Sequence, residues 1–183
     1  MLPETRVFTR DKMMERIAFF KDLSGARTGL PDSHLPECNR ELINVIGFQT
    51  PEGEDGSEVV SPVGQDVSLR AAIPISEGFN MGFVKAEPGK GPLMHNHDTN
   101  ETFMPIKGKW RCAWNEGDAY EFVDVGTCDV VSFPPGVMRR FQCLEAPEGE
   151  TEGLMLFVVG GDAPGAEFSE NAYKRISEMP PPE

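Results

Sequence analysis

The feature that most constrains the fold of this chain is a long series of short apolar runs, separated by turn-forming residues, between Leu69 and Val159. Spacing of this kind is typical of a β-sandwich or barrel. No long helical pattern interrupts the series, which disfavours a parallel sheet with crossover helices. The turn signals lie at Glu87 to Gly91, Lys107 to Lys109, Asn115 to Asp118, Asp124 to Gly126, Pro134 to Gly136 and Ala146 to Gly153. The sequence therefore predicts an all-β, antiparallel fold.

Both ends of the chain carry patterns typical of helices. Apolar residues at helical spacing predict a helix over residues 10 to 23, with Thr9 suited to cap its start and Gly25 to end it. A second helix is expected after Ser169, with Pro180 to Pro182 closing it.

Charge and cysteine usage narrow the classes of partner and compartment. The chain has 183 residues, enough for one domain, and its 17 basic against 30 acidic side chains give a net charge of -13. Such a charge repels phosphate backbones, so we expect no nucleic-acid partner. The apolar runs are too short for a signal peptide or a membrane span, and we expect a cytoplasmic protein. The four cysteines form no C-x-x-C pair, so we expect reduced thiols and no structural disulfide.

The most informative segment for function is residues 89–108, G-K-G-P-L-M-H-N-H-D-T-N-E-T-F-M-P-I-K-G. His95 and His97 are two apart and face the same side of any strand that contains them. Glu101 follows a short stretch that can bend the chain, and Gly108 ends the next strand at an expected hairpin turn. Two imidazoles and one carboxylate suit a divalent metal with open coordination positions. The alternative interpretation is a polar patch in which the three side chains only exchange hydrogen bonds.

This segment resembles the first signature motif of the cupin family, which reads G, five residues, H-x-H, three or four residues, E, six residues, G. Gly89, His95, His97, Glu101 and Gly108 fill every fixed position. The resemblance implies a jelly-roll β-barrel whose interior presents the two histidines and the glutamate to a divalent metal ion. Fe(II) is favoured by this ligand set, and Mn, Ni or Zn are alternatives.

The second cupin motif is matched only in part. Gly126 and the turn from Pro134 to Gly136 are present, but Arg139 stands where the family has its third histidine and Cys143 where it has an asparagine. Arg139 could pair with Glu101 and close the site without a metal. It could instead receive the carboxylate of a substrate beside the metal. A third possibility is that His34, in a loop, supplies the missing imidazole from above the barrel or from a partner subunit.

Strand parity suggests the walls of a substrate pocket. Phe103 shares a face with Glu101, and Phe141 and Cys143 share a face with Arg139, so these three are expected pocket residues, or plain core. Two further pairs leave their orientation open on sequence alone: Trp110 and Trp114, and Met81 and Phe83.

Two functions follow from the resemblance. The first is a metal-dependent cupin enzyme, a dioxygenase-like oxidoreductase that acts on a small organic acid held by the metal and Arg139. The alternative is a non-catalytic cupin that binds a small ligand, with an Arg139 and Glu101 pair in place of the metal.

We expect three segments along the chain. A helix and dimerisation arm occupy residues 1–60, the barrel residues 61–161, and a helix and tail residues 162–183. The apolar stretch from Leu42 to Phe48 is predicted as a strand and resembles the arm by which many cupins pair subunits, so we expect a homodimer.

Overall fold

A computed structural model describes residues 3–47, 62–63 and 71–179. These residues form two short α-helices, α1 (Arg10–Met14) and α2 (Glu170–Glu178), and ten strands. The strands are β1 (Glu41–Ile46), β2 (Phe79–Ala86), β3 (His95–His97), β4 (Glu101–Lys107), β5 (Lys109–Trp114), β6 (Glu121–Val125), β7 (Val131–Phe133), β8 (Arg139–Glu145), β9 (Gly153–Gly160) and β10 (Ala166–Phe168). Within this part of the chain, no helix is long and apolar enough to cross a membrane.

The strands form two five-stranded sheets, in the orders β1-β2-β9-β4-β7 and β10-β3-β8-β5-β6. The antiparallel pairs are nested: β5 with β6, β4 with β7, β3 with β8, and β2 with β9. Nesting of this kind arises when one long hairpin is rolled so that its successive strands alternate between two facing sheets, which is the jelly roll. The predicted all-β jelly-roll fold is confirmed.

Gly108 lies at a corner between the sheets and not at a hairpin turn, which corrects the expectation from sequence. β4 before it and β5 after it belong to different sheets. Gly108 has a φ of +81°, and a Cβ placed there would lie 2.3 Å from the carbonyl oxygen of Glu145. The chain can turn this corner only with a glycine, because any side chain would be both strained and in collision.

The core lies between the two sheets, where the inward faces of the strands meet. Along β2 the buried positions are Asn80, Gly82, Val84 and Ala86, so Met81 and Phe83 point to the outer face. Trp110 is completely buried, with its ring centroid 6.0 Å from that of Phe141. Trp114 packs against the same core from a partly buried position. Both tryptophans therefore pack in the core between the sheets. Phe83, in contrast, contacts Phe20 on the outer face of β2.

The N-terminal helix is much shorter than predicted. Thr9 caps α1 as expected, its hydroxyl oxygen accepting from the amide of Lys12 at 3.3 Å, but the helix ends at Met14 and a 3-10 turn follows at Phe20–Asp22. None of the residues of α1 is buried. A helix without a packed face is only marginally stable, which explains why apolar spacing alone did not extend it.

The C-terminal helix and the first strand follow the sequence patterns. Ser169 caps α2 by accepting from the amide of Ala172 at 3.2 Å, while the expected closing prolines lie outside the described residues. β1 covers most of the predicted stretch from Leu42, whose last residue, Phe48, also lies outside the described residues. β1 pairs with β2 of the same chain, and isolated bridges from Ala26 and Ile73 meet it as well.

Candidate metal centre

The jelly roll brings the two motif histidines and the glutamate together from opposite sheets. β3 carries His95 and His97, with both side chains on the inward face of one sheet. The chain then bends over residues 98–100 and enters the other sheet, where Glu101 is the first residue of β4. Arg139 starts β8 and stands directly opposite His95 in the β3 and β8 ladder. A local bend and one strand pairing therefore place all four side chains in the space between the sheets.

The three predicted ligands form a compact, buried cluster. One ligand atom from each of His95, His97 and Glu101 lies within 4.8 Å of the others. The three residues are 8%, 2% and 4% exposed, respectively. The two imidazole centroids are 5.1 Å apart with an interplanar angle of 84°, and His97 Nε2 lies 3.3 Å from Glu101 Oε2. The donor set is therefore assembled in a form that can hold a metal ion.

Backbone carbonyls fix the orientation of both imidazoles. His95 Nδ1 donates to the carbonyl oxygen of Leu93 at 2.8 Å, and His97 Nδ1 donates to that of Gly165 at 2.9 Å. In a neutral imidazole whose proton is on Nδ1, Nε2 keeps a lone pair for another partner. Metal-binding histidines in proteins are oriented in this way, by a hydrogen bond from the nitrogen that does not bind the metal. The residues present fit a divalent metal ion.

Arg139 adds a fixed positive charge beside the cluster. It is fully buried, and its Nε donates to Glu101 Oε2 at 2.9 Å while Nη1 donates to the carbonyl oxygen of Val137 at 2.9 Å. Its Nη2 has no hydrogen-bond partner among the described residues. A buried donor without a partner carries a free-energy penalty, and an acceptor oxygen that reached Nη2 would relieve it.

Burial and neighbouring charges shift two of these groups. Burial, together with the charge of His97, lowers the pKa of His95 from 6.5 to about 4. For Glu101, burial raises the pKa, but the charge and hydrogen bonding of His97 and the charge of Arg139 outweigh it and lower the pKa to about 2. At neutral pH the cluster thus offers an uncharged His95 imidazole and a carboxylate, the protonation states that bind a metal.

A small cavity of about 30 Å³ opens beside the cluster. Its wall includes His95, His97, Glu101 and Phe141, and also Arg40 from the N-terminal segment. A water molecule needs at least about 10–15 Å³ of such volume, so the cavity suits a ligand of only a few non-hydrogen atoms. The sequence did not point to Arg40, because no motif or spacing connects it with the histidines that it approaches in the fold.

Comparisons with known proteins give solved structures only. No family model matches the chain, nor does any curated protein. A matching cupin-2 domain containing protein from Shewanella frigidimarina is 19% identical, with 48% of this chain and 76% of that chain covered and a TM-score of 0.38. A variant of oxalate decarboxylase from Bacillus subtilis is 21% identical, with 84% and 30% covered and a TM-score of 0.48. Vicilin from Solanum melongena is 14% identical, with 71% and 30% covered and a TM-score of 0.48. The chain spans less than a third of the length of the vicilins that it matches.

The nested strand order and the inward-facing histidine pair are the features that the sequence motif implies. The chain has a cupin fold. In this cupin fold the first motif forms β3, the bend and β4, which explains the fixed spacing of its residues: parity sets the two histidines on one face, and the bend carries the glutamate across.

The predicted pocket residues take different places in the cupin fold. Phe141 lines the cavity. Phe103 and Cys143 are buried in the core cluster, with the Phe103 ring centroid 5.1 Å from that of Phe141, and they are not among the residues that line the cavity. Burial also raises the pKa of the Cys143 thiol, which suits a packing residue more than a reactive one.

His34 does not supply an imidazole to the cluster. Its Nε2 contacts the carbonyl oxygen of Met179, just after α2. The possibility that His34 folds over the site within its own chain is therefore wrong. The loop around it runs toward the C-terminal helix because Arg175 of α2 also holds Glu37, with their side chains 2.7 Å apart.

Proposed function

We propose that this chain is a metal-dependent cupin enzyme, a dioxygenase-like oxidoreductase that acts on a small organic acid. His95, His97 and Glu101 would hold the divalent ion, with Fe(II) favoured and Mn, Ni or Zn as alternatives. The observation that carries the proposal is the orientation of the imidazoles, since both Nδ1 atoms donate to backbone carbonyls and Nε2 is therefore the ligand atom of each ring. The ion would replace the present contact of His97 Nε2 with Glu101 Oε2.

The ion would supply a Lewis acid and a site for O2 in its open coordination positions. The other residues of the site bind and orient the acid. Arg139 contacts Glu101 through Nε and is not among the residues that line the cavity, so a substrate carboxylate would have to reach past the cavity wall to accept from its unpartnered Nη2. Phe141 and the sheets around it exclude bulk water, and the cavity of about 30 Å³ limits the substrate to a small molecule.

Charge balance supports an acidic substrate. In the buried cluster the positive charge of Arg139 and the negative charge of Glu101 cancel, because they form a direct ion pair. A divalent ion would then leave two positive charges without a counterion in a low-dielectric interior. A bound carboxylate offsets part of this excess and also provides the acceptor that Nη2 lacks.

One observation favours the alternative function, a non-catalytic cupin that binds a small ligand. Arg139 Nε already donates to Glu101 Oε2 at 2.9 Å, which occupies one face of the carboxylate. If this pair replaces the metal, the remaining free donor is Nη2, and the barrel would bind a small anion without turnover.

Oxygen consumption after metal loading tests the proposal. The protein is reconstituted with Fe(II) or Mn(II) and exposed to a panel of small mono- and dicarboxylic acids while O2 is followed with an electrode. The proposal predicts O2 uptake with at least one acid, and none after Glu101→Ala, which removes a ligand. Anion binding with no O2 uptake under any metal would support the alternative instead.

We also propose that the chain forms a homodimer. Several apolar residues of the N-terminal segment are left exposed, among them Val7, Phe8, Met13 and Phe19 at 98%, 45%, 45% and 52%. Clusters of exposed apolar side chains commonly lie at protein interfaces. Light scattering at micromolar concentration should give the mass of two chains; a monomer alone would show that the proposal is wrong.

A further inference from the structure

We infer that Asp32 and Asp98 are positioning residues for His95 and His97, each acting through one backbone residue. Both imidazoles donate to a carbonyl oxygen, of Leu93 or of Gly165, and the amide of that same residue donates to an aspartate. The consequence for metal affinity rests on the proposed function, while the positioning of the imidazoles does not.

The first device holds His95 and starts in the N-terminal segment. The amide of Leu93 donates to Asp32 Oδ2 at 3.1 Å, and the carbonyl oxygen of Leu93 accepts from His95 Nδ1 at 2.8 Å. Asp32 is itself fixed by Arg40, whose Nη1 and Nη2 donate to its two oxygens at 3.2 and 3.1 Å. Both charged side chains are buried, with Asp32 fully enclosed.

Leu93 needs such a support because, among the described residues, no strand pairs with it. It lies in the irregular segment before β3, where Pro92 has no amide proton to donate. A second contact binds this segment to the N-terminal one, since the amide of Gly91 donates to the carbonyl oxygen of Glu37 at 3.2 Å. The N-terminal segment therefore accepts the backbone hydrogen bonds of residues 91–93 that a neighbouring strand would otherwise accept.

The second device repeats the arrangement for His97 with residues from elsewhere in the chain. The amide of Gly165 donates to Asp98 Oδ1 at 2.9 Å, and the carbonyl oxygen of Gly165 accepts from His97 Nδ1 at 2.9 Å. Asp98 is exposed, in contrast to Asp32. Because solvent competes for exposed hydrogen bonds, we expect a smaller contribution from Asp98.

The simpler interpretation of Asp32 and Arg40 is an anchor that only fastens the N-terminal segment. Arg27 provides the matched control for that role. It joins the same segment to the loop before β9, donating to Glu152 Oε1 at 2.6 Å, and it has no hydrogen bond with Leu93 or with a proposed metal ligand. Arg27→Gln should loosen the segment without changing the orientation of His95.

The experiment compares Asp32→Leu/Arg40→Met with Arg27→Gln and Asp98→Ala. Removing both members of a buried ion pair avoids an uncompensated charge, so the double variant is expected to fold. The first measurement is nitrogen-proton NMR of the imidazoles in the metal-free protein. The inference predicts that the His95 Nδ1 proton exchanges at least tenfold faster in the double variant and is unchanged in Arg27→Gln. Asp98→Ala, at an exposed site, should affect the His97 proton instead.

Metal titration is the second measurement. Together with the NMR result, it separates the positioning of the imidazoles from the proposed binding of a metal ion. Loss of a group that orients a ligand commonly weakens metal binding about 10–100-fold. We expect at least tenfold weaker Mn(II) binding in the double variant, a smaller loss in Asp98→Ala and none in Arg27→Gln. If the native chain binds no ion, the proposed function fails and the NMR result alone decides the positioning. If the variants keep native imidazole signals, the positioning inference is wrong, whatever the metal titration shows.

Discussion

Two buried arginine-carboxylate pairs lie close to the cavity, and they differ in how many of their donors are used. In the Arg40 and Asp32 pair, both Nη atoms of the guanidinium donate to the carboxylate, and Nη1 also donates to the carbonyl oxygen of Cys38 at 2.8 Å. The carboxylate in turn accepts from the amide of Leu93. We call this pair closed, because both Nη atoms of the guanidinium and both oxygens of the carboxylate have hydrogen-bond partners within the chain.

The Arg139 and Glu101 pair is open by comparison. Only Nε of Arg139 reaches the carboxylate, and Nη2 has no partner among the described residues. The Phe133 ring lies 5.9 Å from the guanidinium carbon. A guanidinium with one donor to spare can still donate to a ligand, whereas one with both Nη atoms engaged by its own chain fastens the fold. Under the proposed function the spare donor of Arg139 binds the substrate carboxylate, while the Arg40 and Asp32 pair supports the fold and Arg40 also lines the cavity.

The largest expected effect comes from a ligand outside both pairs. His97→Ala should abolish stoichiometric metal binding, because it removes one of the two imidazoles of a three-ligand site. Elemental analysis after dialysis against Mn(II) measures this. His34→Ala is the matched control, since the His34 ring lies at the C-terminal end of the fold and should not matter. Retained metal in His97→Ala would refute the ligand assignment.

The closed pair should be costly to break from one side. Asp32→Ala leaves the buried Arg40 charge without its carboxylate, and we expect a loss of about 3–5 kcal/mol in the free energy of unfolding. Urea denaturation of the metal-free protein gives this value. Asp32→Leu/Arg40→Met should recover most of the loss, because it removes both charges. A single variant as stable as the native chain would mean that Arg40 has another partner and that the pair is not closed.

Acid should weaken the metal-free protein through His95. Its folded pKa is about 4 against an ordinary 6.5, so the unfolded chain binds more protons between these values and the folded state loses stability as the pH falls through that window. From pH 7 to 5 we expect the unfolding free energy to drop by about 2 kcal/mol. Urea denaturation at both pH values measures it. His95→Gln should remove this drop and His34→Gln should keep it; an equal drop in all three proteins would contradict the assignment.

A change in the open pair of Arg139 and Glu101 should alter the affinity for the substrate more than the free energy of unfolding. Arg139→Lys keeps the charge but lacks the planar fork, so it cannot donate to Glu101, to the Val137 carbonyl and to a substrate carboxylate in the same geometry. We expect the KM for the acid, or the Kd of an acid inhibitor, to rise about tenfold, or about 1.4 kcal/mol. Arg140→Lys, at the next position on the outer face of β8, should leave both unchanged. Equal effects of the two substitutions would remove Arg139 from the substrate site.

The features that could be predicted from the sequence depend on short-range rules. Strand parity places His95 and His97 on one face, and residues 98–100 are of types that favour the bend that follows. The prediction of a hairpin turn at Gly108 was wrong, because a turn signal in the sequence does not say whether the next strand stays in the same sheet. The length of α1 was wrong because packing, which the sequence does not display, decides how far a short helix extends.

The residues that support the imidazoles could not be predicted from the sequence, and the reason is a different one. Asp32 and Arg40 contact the residues near His95 only after the N-terminal segment has folded against the jelly roll. Neither residue forms a spacing pattern with the motif, and a buried Asp or Arg looks in sequence like any exposed one. Arg139 was found because the family motif has a histidine at that position, but the number of its free donors is a property of the fold.

Metal content tests the central claim most directly, namely that His95, His97 and Glu101 hold an ion although Arg139 contacts the same carboxylate. The purified protein is analysed for metals as isolated and after reconstitution with Fe(II), Mn(II), Ni(II) and Zn(II), beside Glu101→Ala. The account predicts close to one ion per chain for at least one of these metals, lost in the variant. No bound ion in the native chain under any of these conditions would contradict it and would mean that the Arg139 and Glu101 pair closes the site.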